Sequence, residues 1–292
     1  MKRFLLLLIL ISIFSCGRNS SDSGKPVITV SIAPFKYFVT MISGDDFSVN
    51  VMVPAGANPH IYEPYPGQIA GLRKSVAYIS NGYLGFEMTW LDRFYEINKT
   101  MIRLSAGEGI EPVDPGDDHG HEGVHVEAAD PHYWVSPKCA LTIAASVKDL
   151  LCELKPSARA DYEKNYSELE QIINEVDNKA DSLLSGFRGK RFMIYHPNLA
   201  YLARDYGLEE TAVEFEGKEP PPSRLKELID IAREENINTV FVQKEYDTRN
   251  ARVVADEIGA GIKVIDPLSE NWTESTIDII ESLYNSLVQG SK

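Results

Sequence analysis

Hydrophobic positions along the chain fall into two repeats that alternate. Val27-Ile28-Thr29-Val30-Ser31-Ile32 is a β-branched run and predicts a buried strand. A helix is expected over Phe35 to Ile42, a second strand over Phe47 to Val53, and a helix over Pro66 to Lys74. Val76 to Ser80 and Met101 to Leu104 are further short apolar runs of strand type, and Ser136 to Glu153 has helical spacing. After residue 190 the alternation restarts. Strands are expected at Arg191 to Tyr195, Thr239 to Gln243 and Lys263 to Ile265. Helices are expected at Leu199 to Tyr206, Ser223 to Asn236, Ala251 to Ile258 and Thr273 to Val288. Strands that alternate with helices imply mostly parallel sheets covered on both faces.

One segment breaks this rhythm. Residues 157–185 hold neither Gly nor Pro, and Tyr162, Tyr166, Leu169, Ile173, Val176, Ala180 and Leu183 recur every three or four positions. That spacing predicts one amphipathic helix of about 43 Å. Its apolar seam drifts too far to sustain a coiled coil. A helix this long between two α/β blocks reads as a strut. The expected organisation is an N-terminal lobe at 27–155, a linking helix at 156–187 and a C-terminal lobe at 188–292.

The first residues follow another logic. Lys2 and Arg3 precede an apolar run from Phe4 to Phe14, too short for the roughly 20 residues a spanning helix needs. A basic start, a short apolar core and a small residue describe an export signal over residues 1–15. Cys16 follows directly, and Ile13-Phe14-Ser15-Cys16 resembles a bacterial lipobox, which implies lipidation at Cys16. Residues 16–26 are mostly small and polar, as a flexible tether would be. The expected location is outside the cytoplasmic membrane, on the periplasmic or exterior side, held there by lipid.

Charge and rare residues then narrow the chemistry. The formal charge is −14, and removing residues 1–15 with their two basic groups takes it to −16. No Lys/Arg run is present, so a nucleic-acid partner is excluded. Cys139 and Cys152 sit thirteen residues apart on one expected helix, roughly 20 Å along its axis. A disulfide needs Cα atoms within about 7 Å, so two buried free thiols are expected.

The six His divide into two groups. His60, His132 and His196 each stand alone beside a Pro, and His60 and His196 follow strands. Asp266 likewise follows a strand and precedes Pro267. In open parallel sheets, ligands gather beyond the carboxyl ends of the strands. Three imidazoles and one carboxylate suit tetrahedral Zn²⁺, whereas Mn²⁺ prefers more oxygen. The spacings of 72, 64 and 70 residues fit neither a zinc finger nor a metalloprotease helix. They draw two donors from each lobe, so movement of the lobes could enclose and release an ion. The second group, His119, His121 and His125, lies in an acidic, Gly-containing loop over 114–129 that reads as an auxiliary metal-gathering segment.

These segments resemble those of bacterial zinc/manganese ABC-transporter substrate-binding proteins. The resemblance rests on Pro54 to Pro64 around His60, on Asn81-Gly82 through Trp90-Leu91, and on Asp130-Pro131-His132-Tyr133-Trp134-Val135-Ser136-Pro137. Tyr195-His196 with Tyr201 to Leu208, and Asp266-Pro267-Leu268, complete it. It covers residues 27 to 290 in order. It implies two α/β lobes joined by one long helix, with the metal held between them by His60, His132, His196 and Asp266. Manganese-type members tend to carry Glu where this chain has His196, which points to Zn²⁺ ahead of Mn²⁺ or Fe²⁺. A membrane permease and a separate ATPase subunit are the implied partners, and a monomer is expected. The chain has no Gly-rich phosphate loop of its own.

A zinc hydrolase is the main rival. Catalytic zinc keeps a position open for water, whereas four protein donors fill the shell, and no His-Glu-x-x-His occurs. Glu63 and Glu214 are acids without an assigned part. A carrier of a siderophore or cobalamin would need aromatic walls and would leave the His pattern unexplained. The expectation is therefore a binding protein and not an enzyme. With ordinary imidazoles near pKa ~6.5, its metal affinity should fall as pH drops through about 6.

Overall fold

A computed structural model describes residues 24–113, 129–214 and 220–291. The export segment, Cys16 and most of the tether lie outside these residues, as do His119, His121 and His125. Among the described residues, no helix is long and apolar enough to cross a membrane.

The first half contains β1 (Val27–Val30), α1 (Ala33–Ser43), β2 (Ser48–Val51), α2 (Pro66–Gly71), β3 (Ser75–Ser80), α3 (Gly85–Ile97), β4 (Ile102–Ser105) and α4 (Pro137–Leu154). The long helix α5 runs over Arg159–Leu184, with single 3-10 turns at Pro156–Ala158 and Ser185–Phe187. At 26 residues it measures about 39 Å. The second half contains β5 (Arg191–Ile194), α6 (Ala200–Tyr206), β6 (Glu209–Ala212), α7 (Pro222–Glu234), β7 (Thr239–Gln243), α8 (Thr248–Ile258), β8 (Gly261–Ile265) and α9 (Trp272–Gly290). The strands form two parallel four-stranded sheets, ordered β2-β1-β3-β4 and β6-β5-β7-β8. This is the α/β fold expected from the alternation.

Two elements escape the sequence pattern. β6 reads Glu-Glu-Thr-Ala, a polar edge strand without an apolar run, and α3 mixes Asp, Arg and Glu among its aromatics. Both owe their form to tertiary pairing and packing, which outweigh weak local preference.

Alternation along the strands sends side chains to two different cores. Phe192, Ile194, Phe241 and Ile265 join α5, α6, α9 and the whole first half in one continuous apolar cluster. Met193, Tyr195, Val240 and Val242 point the other way and bury α7 and α8 in a smaller cluster. The halves therefore share a core instead of meeting at a wet surface. Trp134 and Trp272 tighten that seam. Trp134 Nε1 donates to the Pro267 carbonyl at 2.8 Å, and Trp272 Nε1 donates to the Trp134 carbonyl at 2.7 Å. Each such buried aromatic contributes about 2 kcal/mol. An extensive apolar contact of this kind resists wide relative motion.

Cys139 and Cys152 are buried and free, as expected from their spacing. Burial pushes the Cys139 thiol up to about 11, so it stays protonated and unreactive at neutral pH.

Candidate metal centre

Each of the three isolated histidines is set in place by its own segment. His60 lies in the loop after β2, where Asn58 Oδ1 accepts a hydrogen bond from the His60 backbone N at 2.8 Å. The start of α3 presses on the other side of this loop. A Cβ added at Gly85 would lie 2.4 Å from the His60 carbonyl oxygen, so only glycine allows the approach.

His132 is held by Asp130, two residues before it. Asp130 Oδ1 accepts from the His132 backbone N at 2.7 Å and from Nδ1 at 2.9 Å. Asn81 Nδ2 donates to the Pro131 carbonyl at 2.9 Å, and Tyr133 Oη donates to the Asn81 carbonyl at 2.8 Å. The Asn81 loop is itself fastened by the buried carboxylate of Glu87, which accepts from the backbone N of Asn81 and Gly82.

His196 follows β5. Parallel register sets Ile194 beside Ala212, so two residues further on His196 meets Glu214. Glu214 Oε1 accepts from His196 Nδ1 at 2.5 Å. Gln243 Nε2 donates to the His196 carbonyl at 2.5 Å, and the Tyr246 ring stacks on the imidazole with centroids 4.7 Å apart.

Carboxylates on two of the Nδ1 atoms fix the tautomer, because each Nδ1 must carry the proton it donates. In a neutral ring held this way, Nε2 is the nitrogen whose lone pair is free for a metal. His60 Nε2 lies 3.0 Å from His132 Nε2 and 3.1 Å from His196 Nε2. Nitrogens ~2.0–2.1 Å from a tetrahedral zinc would stand about 3.3 Å apart, within a few tenths of an ångström of these distances. Desolvation pushes His60 down to about 2, and the neighbouring imidazoles add to that. Desolvation also lowers His196, against the opposing pull of Glu214. Both rings are therefore neutral and able to ligate.

The three rings line a pocket of about 270 Å³ with Trp134, Asn198, Gln243, Glu245, Tyr246 and Leu268. Asn198 Oδ1 and Gln243 Oε1 are buried there, and no donor among the described residues reaches them. Such acceptors suit donors that arrive with a hydrated cation.

Of the four donors expected from the sequence, the structure brings His60, His132 and His196 together, with ligand atoms within 4.8 Å of one another. Asp266 is not part of that cluster. Its carboxylate accepts from Lys244 Nζ at 3.0 Å and borders the adjoining cleft, with Ile32, Val53 and Glu270. Glu214 now has a place, as the hydrogen-bond partner of His196, whereas Glu63 is exposed to solvent. Sequence spacing missed Glu214 because it lies beyond β6, the strand that carries no apolar signal. Glu245 and Tyr246 were missed because they lie in an unpatterned loop.

A family model described as the periplasmic component A of the zinc-uptake complex, ZnuA, matches residues 28–290. Zinc-binding lipoprotein AdcA of Streptococcus pneumoniae strain R6 is 28% identical over 288 residues, covering 94% of this chain and 57% of that protein. The chain thus spans a little over half the length of AdcA. A putative metal-binding protein of Treponema pallidum is 27% identical over 262 residues, covering 86% of this chain and 82% of that protein. Among solved structures, ZnuA superposes with a TM-score of 0.82 at 35% identity, covering 90% of this chain and 99% of that one. A zinc-bound ZnuA deletion mutant gives the same score and identity.

Proposed function

The chain belongs to the ZnuA family of periplasmic zinc-uptake components, and from that premise we propose that it captures Zn²⁺ outside the cytoplasmic membrane and delivers it to an ABC permease. A separate ATPase subunit would drive transport. The observation that carries this reading is the convergence of three imidazoles, from segments up to 136 residues apart, at a spacing that suits one zinc ion.

His60, His132 and His196 are the proposed ligands. Asp266 is the proposed fourth donor, reached when its carboxylate leaves Lys244. Imidazole-rich sites favour Zn²⁺ over Mn²⁺. The proposed role is carriage, not catalysis, with the protein acting as a monomer. We further propose that residues 1–15 direct export and that Cys16 carries the lipid anchor. The loop with His119, His121 and His125 would gather ions near the pocket, and the acidic surface would raise the local cation concentration.

Elemental analysis of protein purified without added metal, followed by competition between Zn²⁺ and Mn²⁺, tests the assignment. Tight, preferential zinc binding at one ion per chain is the expected result, and equal or weaker zinc binding overturns it. Fatty-acid incorporation that disappears in Cys16→Ser tests the anchor.

A further inference from the structure

A short chain of contacts joins two of the histidines by a route that does not pass through the ion. Tyr246 lies in the loop between β7 and α8, its ring plane 19° from parallel with that of His196. Its hydroxyl accepts a hydrogen bond from Asn58 Nδ2 at 3.2 Å, across 188 residues of sequence. The other end of Asn58 holds the His60 backbone N. His196 and His60 are thus linked through Tyr246 and Asn58, one residue from each half of the molecule.

The loop that carries Tyr246 is itself braced. Its backbone N donates to the Gln243 carbonyl at 3.0 Å, and Asp247 caps the start of α8 by accepting from the Arg249 backbone N. The Tyr195 ring supports Tyr246 edge-on at 6.0 Å.

The two sides of the pocket differ in what it would take to open them. On the Trp134 side, the halves are joined through the continuous apolar core and the bonds of Trp134 and Trp272. Opening there would expose buried aromatics to water. On the Tyr246 side the clasp crosses between the halves by the partly buried hydrogen bond from Asn58 to Tyr246, and the ring stack only ties Tyr246 to His196 within the second half. The cleft beyond it, about 770 Å³ in volume, is bordered by Lys244, Glu245 and Asp266. The Tyr246 side is the less costly one to open.

We propose that Asn58 and Tyr246 form a clasp that sets the rate at which the ion leaves. Tyr246 is in this sense a positioning residue for His196, since its ring orients the imidazole and its hydroxyl ties that imidazole to the His60 loop. The inference rests on the zinc-binding reading above.

The test uses the full chain loaded with zinc and mixed rapidly with excess chelator, and the cobalt(II)-substituted protein as a spectroscopic report on the ligands. Tyr246→Phe keeps the ring stack and loses the hydroxyl, so zinc release should accelerate about fivefold, the effect of one modest hydrogen bond. The cobalt absorption bands should be unchanged. Asn58→Ala should accelerate release at least as much, because it also frees the His60 backbone N. The double variant should be no faster than Asn58→Ala alone, since both substitutions break the same bond. Tyr246→Leu removes the stack as well and should shift the cobalt bands. Unaltered release in Tyr246→Phe, or effects that multiply in the double variant, would overturn the clasp while leaving the zinc site intact. A wild-type chain that binds no zinc would overturn the zinc reading and the clasp together.

Discussion

Glu214 stands beside His196 because β5 and β6 run parallel in register, and its Oε1 accepts a hydrogen bond from Nδ1 at 2.5 Å. A carboxylate in that position makes the opposite nitrogen a stronger donor and fixes the ring's orientation. Glu214→Ala should therefore weaken zinc binding about tenfold to a hundredfold, although Glu214 itself touches no metal. Glu214→Gln should lose less, because its amide oxygen still accepts. A competition titration against a chelator of known affinity measures both, and unaltered affinity in the alanine variant would refute the role.

Asp266 and the three histidines should rank differently. Replacing His60, His132 or His196 by Ala removes a convergent donor and should cost about a hundredfold or more in affinity. Asp266→Asn should cost less than any of these, because its carboxylate is paired with Lys244 and lies outside the cluster. Deleting residues 116–126 should cost least. The same titration decides the order, and a loss in Asp266→Asn as large as that of a histidine variant would place the carboxylate among the principal donors.

Proton competition should begin lower than ordinary imidazoles suggest. A depressed pKa means that a ring is neutral, and ready to ligate, at any pH above that depressed value. Burial carries His60 to about 2 and lowers His196, so zinc displaces no proton from His60 at neutral pH. Affinity should fall by less than about tenfold between pH 7.5 and 6, whereas three unperturbed imidazoles of pKa ~6.5 would lose about fiftyfold. Calorimetric titration at the two values checks this, and a tenfold loss by pH 6 would contradict it.

Gly85 should prove intolerant of a side chain. The Cβ of Gly85→Ala would meet the His60 carbonyl at 2.4 Å, and backbone must move to admit it. Both zinc affinity and melting temperature should fall in this variant. Gly67→Ala, where the added Cβ has open space, should leave zinc affinity unchanged. Equal zinc affinity in Gly85→Ala and wild type would show that the His60 loop is free to shift.

Glu210 should impose a pH dependence on folding. Desolvation pushes its carboxyl up to about 8, while its Oε1 accepts from the backbone N of Asn198 and Leu199. Between the ordinary carboxyl range and that value, the folded protein holds a proton that the unfolded chain has released. Stability from this group is thus present at low pH and lost as pH rises towards 8. Melting temperature should decline by on the order of 5 °C across that window. Glu210→Gln should flatten the decline, and identical pH profiles for the two proteins would remove Glu210 as its source.

Most of the fold and all four proposed donors can be read without coordinates. Val27 to Ile32 and Thr239 to Gln243 announce strands because β-branched and apolar side chains suit a sheet buried on both faces. The long helix declares itself through uninterrupted spacing from Tyr162 to Leu183. Histidine is rare in this chain, so three isolated examples beside prolines stand out. β6 and α3 are less visible, since their local preferences are weak and their partners are distant in sequence.

What the sequence determined by itself is therefore what depends on periodicity and on rare residue types: two α/β halves, one strut, and the histidines His60, His132 and His196. Tertiary structure decided the rest. It joined the halves through one continuous core, set Asp130 and Glu214 behind their imidazoles, paired Asp266 with Lys244, and laid Tyr246 on His196. The physical reason is that a hydrogen bond or ring stack acts over only a few ångströms. Most of these partners lie far apart along the chain, and only the register of strands and the path of loops bring them within that range.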